Sequence, residues 1–261
     1  FLLSKKQFIK LKKHALKKKV IFFSSCFDEE SANFLNSLQN LFKIASCDNN
    51  YFGLIKKIIK FNKPVLISLG LTEGKDTENL IKFINPLLKN NKKRITLMHC
   101  VSSYPVLPEN ANLNKIDYLI KKYPNYNIGY SDHTKGIEAS CIAVSKGAKV
   151  IEKHFTLNRN MKGPDHAASL NPSEFKKMVN DIRIYEKMLG FGVKKLFACE
   201  KVNIKIARKS LVALKNIKKG EIFTEKNITT KRPGNGICAS KFKNYLKKKS
   251  TRDYKIDELI K

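Results

Sequence analysis

Residues 128–134 read IGYSDHT, and residues 149–155 read KVIEKHF. Each stretch is a strand-like run that ends in a histidine, and the apolar stretch 137–144 between them is typical of a crossover helix. Strand, helix, strand is the βαβ unit, in which two parallel strands bring their carboxyl ends side by side. We therefore expect His133 and His154 to meet at one rim of a sheet, where α/β proteins place their chemistry.

Two histidines at adjacent strand ends are compatible with two kinds of site. Imidazole is the commonest side-chain metal ligand, so the pair His133 and His154 predicts a site for a divalent ion. The alternative is that both rings only form hydrogen bonds with their local surroundings. The spacing alone leaves both interpretations open.

The alternation of strand and helix extends from this unit toward the amino terminus. Because the apolar runs are unbroken rather than alternating, they indicate strands that are buried on both faces. Repeated units of this length favour an α/β fold of the TIM, or (β/α), barrel type over a short open sheet. A complete barrel has eight strands, and we expect the first two to lie upstream of Phe1. The predicted strands cover residues 20–25, 41–46, 64–69, 95–100, 127–131 and 149–154.

Polar residues lie at or just past the ends of these strands, which predicts a single polar rim. In a barrel, residues at the carboxyl ends of the strands face one common mouth. Hydroxyl groups around one lysine, Lys43, form a plausible cradle for a phosphate. Any one of these serines, taken alone, is more often a turn residue than a ligand, so the prediction depends on the repetition. The residues are Ser24, Ser25, Lys43, Ser46, Asp48, Ser68, Ser102, Tyr104, Ser131, Asp132, His133 and His154.

The composition argues against several classes of protein. The net charge of +30 would ordinarily point to nucleic acid, but the basic residues are nearly all lysine and are spread along the whole chain. A solvated surface is therefore the better interpretation. No apolar run approaches the ~20 residues of a membrane span. The six cysteines include no C-x-x-C pair, and without a signal peptide they predict reduced thiols and a cytoplasmic protein.

The pattern of apolar runs and turns in the sequence changes toward the carboxyl terminus. Residues 1–190 carry the strand–helix units, residues 191–207 are predicted to be a linker, and residues 208–261 contain short strand-like runs between turns. The last range is predicted to be a separate β-rich domain. It is small enough to depend on docking for its stability.

Four motifs give the chain a resemblance to a known family. They are SDHT at 131–134, EKHF at 152–155, GPDH at 163–166 and KRPGNG at 231–236. In this order they resemble the sialic acid synthase family, which includes N-acetylneuraminate and N,N'-diacetyllegionaminate synthases. The resemblance implies a TIM barrel, here without its first two strands, followed by a small antifreeze-like (SAF) domain. It also implies a domain-swapped homodimer in which the SAF domain caps the barrel of the partner subunit.

The same resemblance implies a reaction. The family condenses phosphoenolpyruvate (PEP) with an N-acetylhexosamine aldose, either N-acetylmannosamine or a 6-deoxy diacetamido analogue. The products are a nine-carbon 2-keto sugar acid and phosphate. The cofactor is a divalent metal ion, Mn2+ or Mg2+, and neither nucleic acid nor a membrane takes part.

The resemblance also implies roles for individual residues. His133 and His154 match the metal ligands, and Asp48 lies near the acidic residue of its strand end, where it could direct a proton or a water molecule. The residues that match sugar-binding positions are Tyr104, Asp165 and Arg232. Those that match PEP-binding positions are Lys43, Ser46, Ser68, Ser131, Ser25 and Ser102.

Three alternatives remain at this level. The chain could be a catalytically inactive fragment, because the first two strands of the family are absent from it. It could be a pseudaminate synthase, although the segments around Asp165 and Arg232 favour neuraminate or legionaminate synthases. Least favoured is a basic nucleic-acid-binding protein, because the strand ends show no clustering of basic and aromatic residues.

Overall fold

The computed structural model of the protein describes residues 3–89 and 91–261. The chain divides into two compact units, the first ending at Gly190 and the second running from Phe191 to Lys261. We describe each unit by itself.

The first unit is built on a parallel five-stranded sheet. Its strands pair in the order β1-β2-β3-β4-β5, and every pairing is parallel. This confirms the prediction of consecutive parallel strands and the barrel-type fold class. The strands are β1 (Phe42–Ile44), β2 (Val65–Ser68), β3 (Ile95–Cys100), β4 (Asn127–Asp132) and β5 (Ile151–Lys153).

Helices connect the strands and cover the sheet. Strands β1 to β3 are buried along their whole length, as expected for a sheet that is covered on both faces. Leu54 and Ile58 of one helix and Ile84 of the next are fully buried in the same core as the strands. The helices are α1 (Lys5–Lys17), α2 (Glu29–Asn36), α3 (Phe52–Lys60), α4 (Gly74–Leu88), α5 (Asn114–Lys122), α6 (Glu138–Ser145) and α7 (Pro172–Leu189).

The first predicted strand, 20–25, is not formed as a strand. Only Ser25 pairs with the sheet, through an isolated parallel bridge to Lys43. Ile21 is 77% exposed and Val20 58% exposed. An apolar run becomes a strand only when a neighbour accepts its backbone hydrogen bonds, and within the described residues this run has a neighbour only at Ser25. The prediction of six strands in the sheet was therefore wrong by one.

The second unit is small and has its own core. Strands β6 (Ser210–Ala213) and β7 (Ile228–Lys231) pair antiparallel. Leu211, Ile228 and Ile260 are fully buried or nearly so in that core. The predicted linker, 191–207, contains helix α8 (Ala198–Ala207), and a short helix α9 (Phe242–Tyr245) follows β7.

Among the helices of the described chain, none combines the length and the apolar character needed to cross a bilayer.

Candidate active site

A cavity of about 430 Å³ lies at the carboxyl ends of the sheet strands. Nine of the residues predicted for the site line it, which places the predicted phosphate cradle and the histidine pair in one space. The lining also includes Glu152 and Cys100, which the sequence analysis did not assign. The nine are Ser25, Lys43, Ser46, Ser68, Ser102, Tyr104, Ser131, His133 and His154.

Three further residues to which the family resemblance gives a role do not line this cavity: Asp48, Asp165 and Arg232. Asp48 lies in a 3-10 turn after β1, where its Oδ2 accepts a hydrogen bond from Cys47 Sγ at 3.4 Å. Asp165 lies beside the cavity, with its Oδ2 3.8 Å from His154 Nδ1. Arg232 belongs to the second unit.

Lys43 and Ser131 are buried hydrogen-bond donors that line the cavity. The Lys43 side chain is only 8% exposed, and its Nζ lies 3.4 Å from Glu152 Oε2. Ser131 Oγ donates to the other oxygen of the same carboxylate, Glu152 Oε1, at 3.1 Å. The sequence contained a signal for Glu152, because residues two apart on a strand face the same side and His154 had already been assigned to the rim.

Ser68, at the end of β2, carries an unpaired polar atom. Its Oγ is buried, and no hydrogen-bond partner for it exists within the described residues. The backbone around it is held firmly, since Asn49 Nδ2 donates to Ser68 O at 3.1 Å and to Gly70 O at 2.9 Å. A buried hydroxyl without a partner carries a desolvation cost. A ligand that accepts a hydrogen bond here would remove that cost.

Gly70 allows the polar side chains of three strand ends to converge. A Cβ atom at this position would lie 2.4 Å from Ser102 Oγ and 2.6 Å from Ser46 Oγ. It would also lie 3.1 Å from Cys100 Sγ. Any side chain here would therefore have to push these groups aside, so the glycine leaves the room in which they converge.

His133, His154 and Tyr104 form an aromatic cluster that lines the same cavity. The ring centroids of His133 and His154 are 5.3 Å apart, and that of Tyr104 is 4.2 Å from His133. Burial lowers the pKa of His133, but its hydrogen bonds with Cys100 and the Val101 carbonyl outweigh burial and raise the pKa above its ordinary value. Burial lowers the pKa of His154, and Asp165 opposes this only in part. The lowered pKa of His154 favours the neutral imidazole, the form that binds metals.

A buried ion pair fixes the two histidines relative to each other. Lys153 Nζ lies 2.9 Å from Asp132 Oδ2, and the two side chains are 1% and 0% exposed. The two residues face each other in the β4–β5 register, and each directly precedes one of the histidines. The pair therefore helps to set where His133 and His154 stand at the rim.

The histidine pair fits a divalent ion that protein and substrate would share. Val101 O accepts a hydrogen bond from His133 Nδ1 at 2.8 Å, so Nε2 carries the lone pair of the neutral ring. Within residues 3–89 and 91–261, no group of three or more His, Cys, Asp or Glu side chains could hold an ion. The described residues thus offer two imidazole nitrogens here, one fewer than the three protein ligands of a typical catalytic zinc site, so substrate or water oxygens would have to supply the rest.

Comparison with known proteins identifies the family. The model of the NeuB family matches residues 1–194, and that of the SAF domain matches residues 208–261. The chain belongs to the NeuB family. This confirms the resemblance to sialic acid synthases and the presence of a SAF domain.

Two relatives of this NeuB chain are synthases of different sugar acids. An N,N'-diacetyllegionaminic acid synthase of Campylobacter jejuni is 47% identical over 251 residues, which cover 95% of this chain and 74% of the relative. A pseudaminic acid synthase of Campylobacter jejuni is 36% identical over 244 residues, covering 93% of this chain and 69% of the relative.

A solved structure supports the barrel-type fold. It is an N-acetylneuraminic acid synthetase from Leptospira borgpetersenii in complex with citrate. It superposes with a TM-score of 0.71 at 37% identity, over 77% of this chain and 70% of that protein.

Proposed function

We propose that this NeuB-family chain carries the active site of a PEP-dependent synthase. The reaction joins PEP to an N-acetylated aldose and yields a nine-carbon 2-keto sugar acid and phosphate. The observation that carries the proposal is the cavity, which is lined by a buried lysine, the unpaired Ser68 hydroxyl and two imidazoles. The ammonium and hydroxyl groups suit an anion, and the imidazoles suit a metal-bound carbonyl.

Lys43 and the serines hold PEP in this proposal. A buried ammonium group and hydroxyl donors bind phosphate and carboxylate oxygens through charge-assisted hydrogen bonds. Ser68 Oγ would gain the acceptor that it otherwise lacks. Ser46, Ser131, Ser25 and Ser102 complete the cradle. Held in this way, the enol carbon C3 of PEP can be aimed at the sugar.

Tyr104, Asp165 and Arg232 bind the sugar. Tyr104 packs against both histidine rings, at 4.2 Å and 5.5 Å between centroids, so a hydroxyl-rich chain placed there would lie next to the metal ligands. Asp165 borders His154 and can accept hydrogen bonds from sugar hydroxyls. We assign Arg232 to the N-acetyl oxygen, reached from the partner subunit in a swapped homodimer.

His133 and His154 would hold Mn2+ or Mg2+. When bound, such an ion supplies Lewis-acid polarisation of the open-chain aldehyde. The bond from PEP C3 to the aldehyde carbon then forms, water adds at PEP C2, and phosphate leaves from C2 as the ketone forms. Lys43 and the serines stabilise the phosphate as it departs. Asp48 lies outside this cavity, so a role for it in directing the water or its proton stays a prediction from the resemblance alone.

The first prediction tests this function and its sugar. PEP, Mn2+ and the correct aldose together should release inorganic phosphate, whereas omission of either substrate or addition of EDTA should reduce release to background. Because an N,N'-diacetyllegionaminic acid synthase is 47% identical, and its product carries two N-acetyl groups, we expect a 6-deoxy diacetamido aldose to be preferred. The kcat/KM for that sugar should exceed the value for N-acetylmannosamine by about tenfold or more. Phosphate release without aldose would contradict the proposal.

The second prediction concerns Ser68→Ala. Because Ser68 Oγ has no partner within the described residues, its removal should leave the free energy of unfolding unchanged or slightly raised. The affinity for PEP should fall by about 10- to 100-fold, the value of a hydrogen bond to a charged group. Calorimetric titration and urea unfolding measure the two quantities.

The matched control for Ser68→Ala is Ser145→Ala. Ser145 Oγ donates to Ile142 O within helix α6, and Ser145 does not line the cavity. This variant should bind PEP like the parent. A Ser68→Ala protein that is destabilised but binds PEP normally would remove Ser68 from the site.

A further inference from the structure

Glu152 carries a negative charge into the site that the proposed function assigns to an anion. Its Oε2 lies 3.4 Å from Lys43 Nζ, and its Oε1 accepts a hydrogen bond from Ser131 Oγ at 3.1 Å. Both donors are thereby held by one carboxylate. A phosphate or carboxylate of a substrate needs the same two donors.

The burial of the two partners is unequal. The Lys43 side chain is 8% exposed, whereas that of Glu152 is 39% exposed. A buried ammonium group needs a counter-charge, because its transfer from water is costly. Both residues lie on strands of the sheet, but only the Glu152 side chain reaches solvent, so the carboxylate is the member that can swing into water and regain hydration.

The neighbouring ion pair Asp132–Lys153, on β4 and β5, provides a contrast. Asp132 and Lys153 approach to 2.9 Å at 0% and 1% exposure. Asp132 also accepts hydrogen bonds from Thr134 and Ser140. That pair is closed to solvent and permanent. The Lys43–Glu152 distance of 3.4 Å is longer than the 2.7–2.9 Å of a strong charge-assisted hydrogen bond.

We propose that Glu152 is a displaceable counter-ion that occupies the anion subsite until a substrate anion replaces it. The carboxylate neutralises Lys43 and holds the Ser131 hydroxyl while the site is empty. An entering phosphate or carboxylate takes over both donors, and Glu152 turns toward solvent. Glu152 is therefore a built-in competitor that weakens anion binding. The inference rests on the proposed function, because it takes Lys43 and Ser131 as the anion donors.

The test is a calorimetric titration with PEP and, separately, with inorganic phosphate. Glu152→Gln keeps the shape of the side chain but removes its charge. We expect it to bind both anions about fivefold more tightly than the parent, the order expected when competition from a partly exposed ion pair is removed. Glu152→Ala should change affinity in the same direction. If Glu152 had only a structural role, its replacement would damage the site and lower the affinity for both anions rather than raise it.

Two further variants make the outcomes distinguishable. Lys43→Met should abolish binding of both anions, and Glu78→Gln is the charge-matched control. Glu78 pairs with Lys122 between helices α4 and α5 and does not line the cavity, so its loss should leave affinity unchanged. Thermal unfolding of each variant reports whether it is folded.

The results separate the inference from the proposed function. If Lys43→Met abolishes binding while both Glu152 variants bind equally or more weakly than the parent, the counter-ion role is overturned and the anion site stands. If folded Lys43→Met binds as well as the parent, the proposed anion site is wrong and the inference is overturned with it. Failure of the parent and both Glu152 variants to bind either anion overturns both. If Glu78→Gln raised the affinity for both anions as much as the Glu152 variants do, the effect would come from net charge alone. The counter-ion role would then be overturned.

Discussion

Replacing Lys153 with methionine is expected to lower the free energy of unfolding of the first unit by about 3–5 kcal/mol. The Asp132–Lys153 pair is 2.9 Å long with both side chains closed to solvent. Methionine approximates the length of lysine but leaves the Asp132 carboxylate buried without its counter-charge. It also removes the hydrogen bond from Lys153 Nζ to Thr134 O, at 2.6 Å. Urea unfolding followed by circular dichroism measures the loss, since the chain has no tryptophan.

The matched control is Lys122→Met. Lys122 Nζ lies 2.5 Å from Glu78 Oε1, but the two side chains are 31% and 43% exposed. Because a solvated pair contributes little, this variant should cost no more than about 1 kcal/mol. The double variant Asp132→Asn with Lys153→Met removes both charges. Its free energy of unfolding should fall by less than the sum of the decreases in the two single variants. A Lys153→Met protein no less stable than Lys122→Met would contradict the role given to the buried pair.

The sequence predicted the strands best where burial alone decides them. Residues 95–100 were predicted as a strand, and β3 covers Ile95–Cys100. All six of its residues are buried, so an unbroken apolar run was an adequate signal. The run at 20–25 has the same apolar character but bridges the sheet only at Ser25. Strand formation there depends on backbone pairing, which composition does not encode.

The sequence predicted most of the residues that line the candidate site, but not the side-chain contacts that hold them. Strand ends gave nine of the cavity residues, because parallel strands deliver their carboxyl ends to one rim. Nothing in the sequence pairs Asp132 with Lys153, since this contact requires the β4–β5 register. The orphaned Ser68 hydroxyl likewise emerges only from the packing around it. Asp48 differs from the nine lining residues, because it follows a strand end and yet does not line the cavity.

The second unit presents Arg232 on a loop that is tied to helix α8. Arg232 Nε donates to Ala207 O at 2.8 Å, and Gly234 N donates to Lys205 O at 2.7 Å. A Cβ atom on Gly234 would lie 2.7 Å from Ile204 O, so the loop can approach the helix only with glycine there. The exposed guanidinium is thus held at its base by Nε. Its terminal nitrogens have no hydrogen bond within the described residues, and they can donate to a carbonyl in fixed geometry.

From this geometry and the proposed swapped homodimer we predict complementation between two inactive variants. His133→Ala removes a metal ligand and Arg232→Ala removes the sugar contact, so each homodimer should lose at least about 99% of its activity. In a mixed dimer with sites built across the subunits, one site holds both lesions and the other holds neither. About half of the parent activity should therefore return in mixed dimers purified through two different tags.

The control for this experiment is a mixed dimer of His133→Ala with His154→Ala. Both residues line the cavity of the first unit, so each site in that dimer carries one lesion and no activity should return. Phosphate release per dimer measures all three species, and sedimentation establishes that each is dimeric. If the Arg232→Ala and His133→Ala mixture stays as inactive as this control while folded and dimeric, Arg232 does not act across the interface. Recovered activity requires the intact first unit of one chain and the intact second unit of the other chain. A site built within one subunit therefore cannot produce it.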